Sequence, residues 1–410
     1  MLKNEFEYLK VMKKRIVVND YAGHPFQLDL SIKLAELDYV VFHLYSSSSG
    51  GPKAGFSIEK ENLKIININI GTVEKSSFIK RFFQEYEYGK KLVEEIKKIN
   101  PDVVISSNTP IFAQSLLSRW AKKNKVKFIF WLQDIISIAA LSLLSKKIPF
   151  FGNIVGLIFK KVEKASLKRS DAIVCICDDF KEILLDWNIK ENVYVIPNWA
   201  PIDKIPALTK KNIWSEKYGF DNKFVILYSG TMGMKHNPEI ITSTASDLKM
   251  YDDMHFVVIS EGEGADFILK EAKAKDLNIS VLPFQDFDNL PKVLASADIL
   301  LTVLEKDAGV FSVPSKVWSY YCSSRASFLY VPSNNLSAKI TLSNKAGIII
   351  KNYQDFSEQI LFYKDNKEKL KEMGSNARLY AEKNFNINDI ANSFIKIFNS
   401  IFAPSKTTKK

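Results

Sequence analysis

The apolar run Ile299 to Leu304 is followed by Gly309-Val310-Phe311-Ser312-Val313-Pro314-Ser315-Lys316-Val317-Trp318-Ser319-Tyr320-Tyr321. A buried strand that ends in a turn of small residues and then opens a helix is how α/β proteins direct free backbone N–H groups at a phosphate. Lys316 lies in the first turn of the predicted helix and adds a cation. The stretch therefore predicts a phosphate-binding turn at the carboxyl end of a strand.

A second turn of this kind lies upstream, in Leu227-Tyr228-Ser229-Gly230-Thr231-Met232-Gly233-Met234-Lys235-His236. Its two glycines let the backbone approach a diphosphate, which Lys235 can then neutralise. The alternative for Lys235 is an exposed lysine on a capped helix. Two such turns in one domain predict a site for a nucleoside diphosphate.

Short β-branched runs alternate with longer amphipathic segments along nearly the whole chain, which is typical of parallel sheets covered by helices. The runs are 15–19, 39–44, 64–68, 102–106, 127–131, 171–176 and 193–197, then 224–228, 255–259, 279–282, 298–303, 327–331 and 347–350. The three prolines of 197–206 predict a linker between the two series. We therefore predict an α/β protein with two doubly wound, Rossmann-like domains that face each other across an active-site cleft.

Composition agrees with this size and class. The chain has 410 residues, of which 46% are hydrophobic and 25% charged, and about 150 residues per domain suggests at least two domains. The net charge of +11 comes from lysines spread over the chain. No nucleic-acid motif accompanies them, so we expect a solvated basic surface, with a face toward anionic lipid headgroups as the functional alternative.

The cysteines and the N-terminus suggest a cytoplasmic protein. Cys175, Cys177 and Cys322 are too few and too strand-like in context for a disulfide framework. The first residues contain acids where a signal peptide needs a basic start and an apolar core.

One apolar segment suggests a membrane surface. Residues 148–161 are apolar and then basic, which suits a helix lying on a membrane, and equally a core helix with a charged end. The longest apolar segment, 128–144, is interrupted by Gln133 and Asp134 and is too short to span a bilayer.

The first domain offers four candidate site residues. Gly23, His24 and Gln27 follow the first strand, where His24 and Gln27 could serve as a base or bind an acceptor hydroxyl at the mouth of the cleft. The alternative is a capped turn with a surface histidine. Asp134 follows the fifth strand and either accepts from a sugar hydroxyl or from His24, or caps a helix.

The second domain offers further candidates. Glu263 and Gly264 stand in a glycine-punctuated turn after a strand, and Phe284 and Phe287 either stack on a nucleobase or belong to the core. The four histidines are scattered and no metal-binding spacing is present, so we expect neither a metal nor another cofactor.

Taken in order, these motifs resemble the retaining glycosyltransferases of family 4, which have the two-domain GT-B architecture, and among them the bacterial exopolysaccharide and O-antigen sugar transferases. The motifs are 20–25, 131–134, 196–199, 228–236, 262–264, 290–291 with 297–298, and 313–316. The resemblance implies an acceptor-binding domain at 1–200, a donor-binding domain at 201–385 and a C-terminal helix at 386–403 that returns to the first domain. Residues 404–410 are expected to form a disordered tail.

The resemblance also implies residue roles. Gly230, Lys235 and Pro314-Ser315-Lys316 correspond to positions around the donor diphosphate, and Glu263, Gly264, Phe284 and Phe287 to positions near the nucleoside. The usual pair of glutamates is replaced by Phe311 and Ser319, so Ser319 would contact the ribose weakly and Asp307 or Glu305 would supply an acid. Met234 stands where an arginine is common.

The function implied is transfer of a sugar from a nucleoside diphosphate sugar to a lipid-linked or growing glycan acceptor at the cytoplasmic face of the inner membrane, without a metal. In this reaction Lys235 and Lys316 stabilise the leaving diphosphate, and His24 and Asp134 orient hydroxyls. Two alternatives remain, which are an inverting GT-B enzyme and a catalytically silent GT-B subunit.

Overall fold

The protein is described from a computed structural model, for residues 14–48, 60–71, 78–147, 149–233, 236–304 and 313–404. The chain divides into two compact units. The first contains the described residues up to Pro197 together with those from Ile387 onward, and the second contains Asn198–Asn386.

The first unit is built on a seven-stranded parallel sheet with the order β3-β2-β1-β4-β5-β6-β7. Its strands are β1 (Arg15–Asp20), β2 (Val40–Tyr45), β3 (Leu63–Asn67), β4 (Val103–Ser107), β5 (Lys127–Leu132), β6 (Ala172–Cys175) and β7 (Val193–Val195). The chain winds from β1 to β3 and then returns to place β4 on the other side of β1. The carboxyl ends of β1 and β4 therefore form the topological switch point, where open α/β sheets bind ligands.

Helices connect these strands. They are α1 (Pro25–Glu36), α2 (Phe78–Ile99), α3 (Ile111–Asn124), α4 (Ile136–Lys147), α5 (Pro149–Arg169) and α6 (Asp178–Asp186). The central strands β1, β4, β5 and β6 are almost fully buried, because helices cover both faces of the sheet.

The second unit contains a six-stranded parallel sheet with the order β10-β9-β8-β11-β12-β13. Its strands are β8 (Phe224–Ser229), β9 (Met254–Ile259), β10 (Ile279–Leu282), β11 (Ile299–Val303), β12 (Ala326–Tyr330) and β13 (Gly347–Ile349). Its helices are α7 (Ile213–Lys217), α8 (Glu239–Asp247), α9 (Glu263–Lys275), α10 (Leu290–Ala295), α11 (Lys316–Cys322), α12 (Leu336–Ser343), α13 (Tyr353–Asp365) and α14 (Lys367–Asn384). The switch point lies between β8 and β11. The prediction of two doubly wound parallel sheets is confirmed.

The last helix, α15 (Ile387–Phe402), packs on the first unit. The ring of Phe394 meets Trp131 of β5 edge-on at 5.1 Å, and Phe398 meets Tyr39 at 6.0 Å. Aromatic contacts of this kind bury large apolar surfaces, so they hold α15 against the sheet although its sequence follows the second unit.

The segment 197–206 is not the free linker that its prolines suggest. Trp199 and Ile205 are fully buried in the second unit, and the guanidinium of Arg378 donates to the carbonyl oxygen of Ile205 over 3.1 Å. The division falls at Pro197, and the apolar side chains that follow belong to the second core.

Candidate functional site

Polar side chains of the first unit gather at its switch point. β1 ends in Asn19 and Asp20, and the turn that follows brings His24 to the start of α1. The N–H of Gly23 closes this turn by donating to the carbonyl oxygen of Asp20 over 3.2 Å. β4 pairs with β1 at the same level, so Asn108, which follows it, reaches the same place.

Asp20 and His24 form a coupled pair. Asp20 is fully buried and accepts from the backbone N–H groups of Ala22 and His24, while its Oδ1 lies 3.3 Å from Nδ1 of His24. Burial opposes both charges, but mutual attraction outweighs it. The pKa of Asp20 is therefore lowered, and the pKa of His24 is raised by Asp20 and, to a lesser extent, by Asp134. Because Nδ1 faces Asp20, Nε2 is the nitrogen left to contact a ligand.

A buried network holds this pair in place from beneath. The amide of Asn19 donates to the hydroxyls of Ser106 over 3.0 Å and Thr109 over 2.7 Å, and its oxygen accepts from Tyr88 over 2.9 Å. Satisfied buried polar networks are rigid. The network therefore fixes the loops after β1 and β4 relative to each other.

A cavity of about 80 Å³ opens beside these loops. Two carboxylates, Asp134 after β5 and Glu163 of α5, lie in its wall. Its other lining residues are Asn108, Thr109, Ile111, Gln114, Phe130, Trp131, Gln133, Ile136 and Ser166. Amides, hydroxyls and carboxylates around an aromatic floor can bind the hydroxyl groups of a sugar.

Glu163 was not predicted from the sequence. It is buried and accepts from the N–H groups of Ile136 and Ser137 over 3.2 and 3.1 Å, so it occupies the N-terminus of α4. Burial raises its pKa to about 7, and Asp134 adds to the shift. The only sequence signal is that Glu163 is the one acid in a helix with five basic residues.

We expect Glu163→Gln to flatten the pH dependence of stability. The folded protein holds a proton on Glu163 up to about pH 7, whereas an unfolded glutamate loses it near pH 4.3, so this residue makes stability fall as pH rises between those values, by about 4 kcal/mol in total. Glutamine keeps an acceptor oxygen for α4 and does not titrate. Thermal unfolding should show the variant gaining on the parent protein between pH 5 and pH 8; an equal difference at both pH values would contradict the assignment.

Gln27 differs from its predicted position. It is fully buried in α1, and its side-chain oxygen accepts from the hydroxyl of Ser107. It lies on the inner face of the helix with Leu30, Ser31 and Leu34, at helical spacing. Gln27 therefore contacts the end of β4 from inside the unit and does not stand at a surface opening.

In the second unit, Gly230 of one predicted turn lies against Lys316 of the other. A Cβ placed on Gly230 would lie 2.7 Å from Nζ of Lys316, so a larger residue would displace the amine from this position, and the φ of +136° at Gly230 favours glycine. The amine also lies 3.6 Å from the ring centre of Tyr228. Burial lowers the pKa of Lys316 to about 7, and within the described part of the chain no carboxylate pairs with it. The structure thus holds a desolvated amine at the switch point.

The surrounding turn is tied to three elements. The hydroxyl of Tyr320 in α11 accepts from the N–H of Ser229 over 3.0 Å and lies 3.2 Å from the carbonyl oxygen of Leu301 in β11. The N–H of Gly264 donates to the carbonyl oxygen of Met232 over 3.1 Å, and a Cβ at Gly264 would lie 2.7 Å from the same oxygen. These contacts join the ends of β8, β9 and β11 in one rigid turn cluster.

The other predicted donor residues lie around this cluster. Glu263 is exposed in the first turn of α9, and Phe284 is 47% exposed after β10, where its N–H donates to Glu261 over 3.3 Å. Phe287 is half-buried in a short turn before α10. Pro314 and Ser315 lead into α11, and Ser319 stands one turn after Lys316.

Several sequence predictions fall outside the described residues. These are Lys235 and Met234 in the turn after β8, and Glu305, Asp307 and Phe311 after β11. Their predicted roles remain predictions.

The described residues contain neither a metal-binding cluster nor a membrane-spanning helix. No group of three or more histidines, cysteines or acids there is arranged to hold a metal ion. None of the helices in that part of the chain combines the length and apolar character needed to cross a membrane.

Comparison with known proteins relates this chain to a described protein family and to a named relative. Residues 27–204 match the family described as Glycosyltransferase Family 4. WcaI of Escherichia coli (strain K12), named as a colanic acid biosynthesis glycosyl transferase, is 25% identical over 228 residues, which are 54% of this chain and 55% of that protein. The chain therefore matches about half the length of this relative.

Solved structures match almost the whole chain. HepE of Anabaena in complex with UDP and glucose has a TM-score of 0.70 at 12% identity, covering 94% of this chain and 100% of HepE. Sucrose-phosphate synthase of Thermosynechococcus elongatus gives 0.71 at 12% identity, with 95% and 99% covered, and a glycosyltransferase of Rickettsia africae gives 0.67 at 18%, with 96% and 100% covered. At these identities the likeness establishes the fold.

These structural matches show that the protein has the GT-B fold, with two parallel α/β sheets. The match of residues 27–204 to the Glycosyltransferase Family 4 model confirms the resemblance found in the sequence.

Proposed function

We propose that this protein is a retaining glycosyltransferase that moves a sugar from a nucleoside diphosphate sugar to a glycan acceptor in the synthesis of a bacterial surface polysaccharide. The observation that carries the proposal is the convergence of Gly230 and Lys316 at one switch point. WcaI, named for colanic acid biosynthesis, and HepE, solved with UDP and glucose, support the substrate class.

The second unit would hold the donor. Departure of a nucleoside diphosphate leaves negative charge on its phosphates, which Lys316 and the backbone N–H groups of the glycine turn can stabilise. We propose that Lys235 adds a second cation and that the reaction needs no metal. The nucleoside would lie toward Glu263, Gly264, Phe284 and Phe287.

The first unit would hold the acceptor, carried on a lipid at the cytoplasmic face of the inner membrane. His24 and Asp134 would orient hydroxyl groups, and the leaving phosphate itself would take the acceptor proton. The three cysteines are free and buried, which is typical of a reducing compartment and supports the cytoplasmic location.

A second candidate is a silent GT-B subunit that binds a nucleotide or glycan without turnover. It is favoured by Ser319, which stands in α11 where the family resemblance calls for an acid. Turnover of a nucleotide sugar separates the two candidates, since a silent subunit would bind it without releasing the nucleoside diphosphate.

Thermal unfolding of the purified protein with UDP, GDP, UDP-sugars and GDP-sugars tests the donor site. A ligand that binds only the folded state at about 100 times its Kd adds about 2.7 kcal/mol, which corresponds to a rise of about 5–10 °C for a unit of this size. We expect one nucleotide class to give this rise, followed by release of its diphosphate from the matching sugar donor. No rise with any of them would contradict the proposal.

A further inference from the structure

One helical layer of the first unit has an unusual charge. The helices α3 and α4 both pack against α5, and the three carry three, two and five basic residues respectively. Their single acid is Glu163, which is buried. Apart from the buried Glu163, the charges of α3 and α5 are therefore all positive, whereas the neighbouring α2 carries charges of both signs.

Exposed apolar side chains lie beside this charge. On α5, Ile154, Leu157 and Ile158 are 44%, 59% and 49% exposed, and their spacing puts them on one stripe of the helix. Lys161 and Lys164 continue the same stripe. Three large, solvent-exposed apolar residues followed by lysines are characteristic of a helix that lies on a membrane.

The neighbouring helix α2 extends this surface. Its Phe83 is 64% exposed, and the adjacent Phe82 meets Phe112 of α3 at 4.8 Å, which in turn meets Phe159 of α5 at 5.3 Å. This row of rings connects α2 to α5 through α3. We call Phe83, Ile154, Leu157 and Ile158 with Lys161 and Lys164 the apolar–basic patch.

The patch lies toward the edge of the sheet that carries the candidate acceptor site. The helices α2 and α5 each lead into a parallel strand, so their N-terminal halves, with Phe83 and Ile154, start near the carboxyl edge. The inner face of α5 contributes Glu163 and Ser166 to the cavity. One helix thus joins the cavity on its inner face to the patch on its outer face.

We propose that the apolar–basic patch docks this protein on a membrane surface that contains anionic phospholipids. The apolar side chains enter the boundary between headgroups and acyl chains, and the lysines contact lipid phosphates. A second copy of the chain fits less well, because two surfaces of the same positive charge repel each other. The inference deepens the proposed function, since a lipid-linked acceptor would be presented at that surface, but it requires no turnover.

Sedimentation with vesicles tests the docking. We expect the full chain to bind vesicles of equal parts phosphatidylcholine and phosphatidylglycerol at low salt, and to bind pure phosphatidylcholine far less. Binding should fall about tenfold or more in the triple variant Ile154→Ser, Leu157→Ser, Ile158→Ser. The double variant Lys161→Gln, Lys164→Gln should lose most of the salt-dependent part of vesicle binding. Leu379→Ser, at a position 62% exposed in α14 of the second unit, is the matched control and should bind as the parent does.

Three outcomes would overturn the proposal: no binding to either vesicle, equal binding by the triple variant and Leu379→Ser, or a dimer in solution that the triple variant abolishes. Thermal unfolding of the same variants with nucleotide checks folding and separates the two proposals. Vesicle binding without any nucleotide response would refute the glycosyltransferase and leave docking intact, and the converse result would refute docking alone.

Discussion

Nucleoside diphosphate binding is expected to weaken about 10- to 100-fold when Lys316 is replaced by alanine, because a charge-assisted contact to phosphate contributes about 1.5–3 kcal/mol. The amine lies against Gly230 and over the ring of Tyr228, where burial has already removed much of its hydration. A phosphate that arrives there therefore replaces little water. Calorimetric titration with UDP or GDP measures the loss.

The same lysine gives binding a distinctive pH dependence. With a pKa of about 7, much of the amine is neutral in the free protein at pH 8, and a bound diphosphate would favour the charged form and raise this pKa. Binding should therefore take up a proton, and affinity should fall as pH rises from 7 to 9. Both effects should disappear in Lys316→Ala.

Lys270→Ala supplies the matched control, since Lys270 is exposed on α9 of the same unit. It should bind nucleotide as the parent does, with the same proton uptake. Unchanged affinity and proton uptake in a folded Lys316→Ala protein would refute the assignment of this lysine to the donor diphosphate.

The parallel sheets could be predicted because buried strands of valine and isoleucine separated by amphipathic helices leave few alternatives. The glycine turns were also visible in the sequence. The meeting of these turns was harder to predict from the sequence. Gly230 and Lys316 meet because β8 and β11 are neighbours at the switch point, and strand order is set by tertiary packing.

The first unit shows what local sequence could not provide. Glu163 lies in the middle of a basic helix and acquires its role only because α5 packs against the start of α4. Asp20 stood in a recognised motif, yet its link to His24 depends on the turn that folds the chain back. The surface position predicted for Gln27 was wrong, because its helical spacing with Leu30 and Leu34 places it on the buried face of α1.

Replacing Asp20 with asparagine is expected to lower the pKa of His24 and to slow sugar transfer. Burial already favours the neutral imidazole, and the carboxylate is the main group that opposes it, so its removal leaves burial dominant. If His24 orients a hydroxyl through Nε2, the variant loses the positive charge of the imidazole and the fixed orientation of its ring. Nucleotide-sugar turnover should then fall about 10- to 100-fold. Donor affinity should not change, because the residues proposed to bind the diphosphate lie in the second unit.

Nuclear magnetic resonance titration of the four histidines separates this role from a structural one. Burial lowers the pKa values of His43 and His255 to about 4, so these rings stay neutral while His24 titrates. Asp38→Asn is the matched control, at an exposed position with φ of +68° that asparagine tolerates, and it should leave both the titration and turnover unchanged. Two results would show that the Asp20–His24 pair does not position the acceptor. One is a His24 pKa that stays raised in Asp20→Asn, and the other is unchanged turnover in a variant whose His24 pKa has fallen.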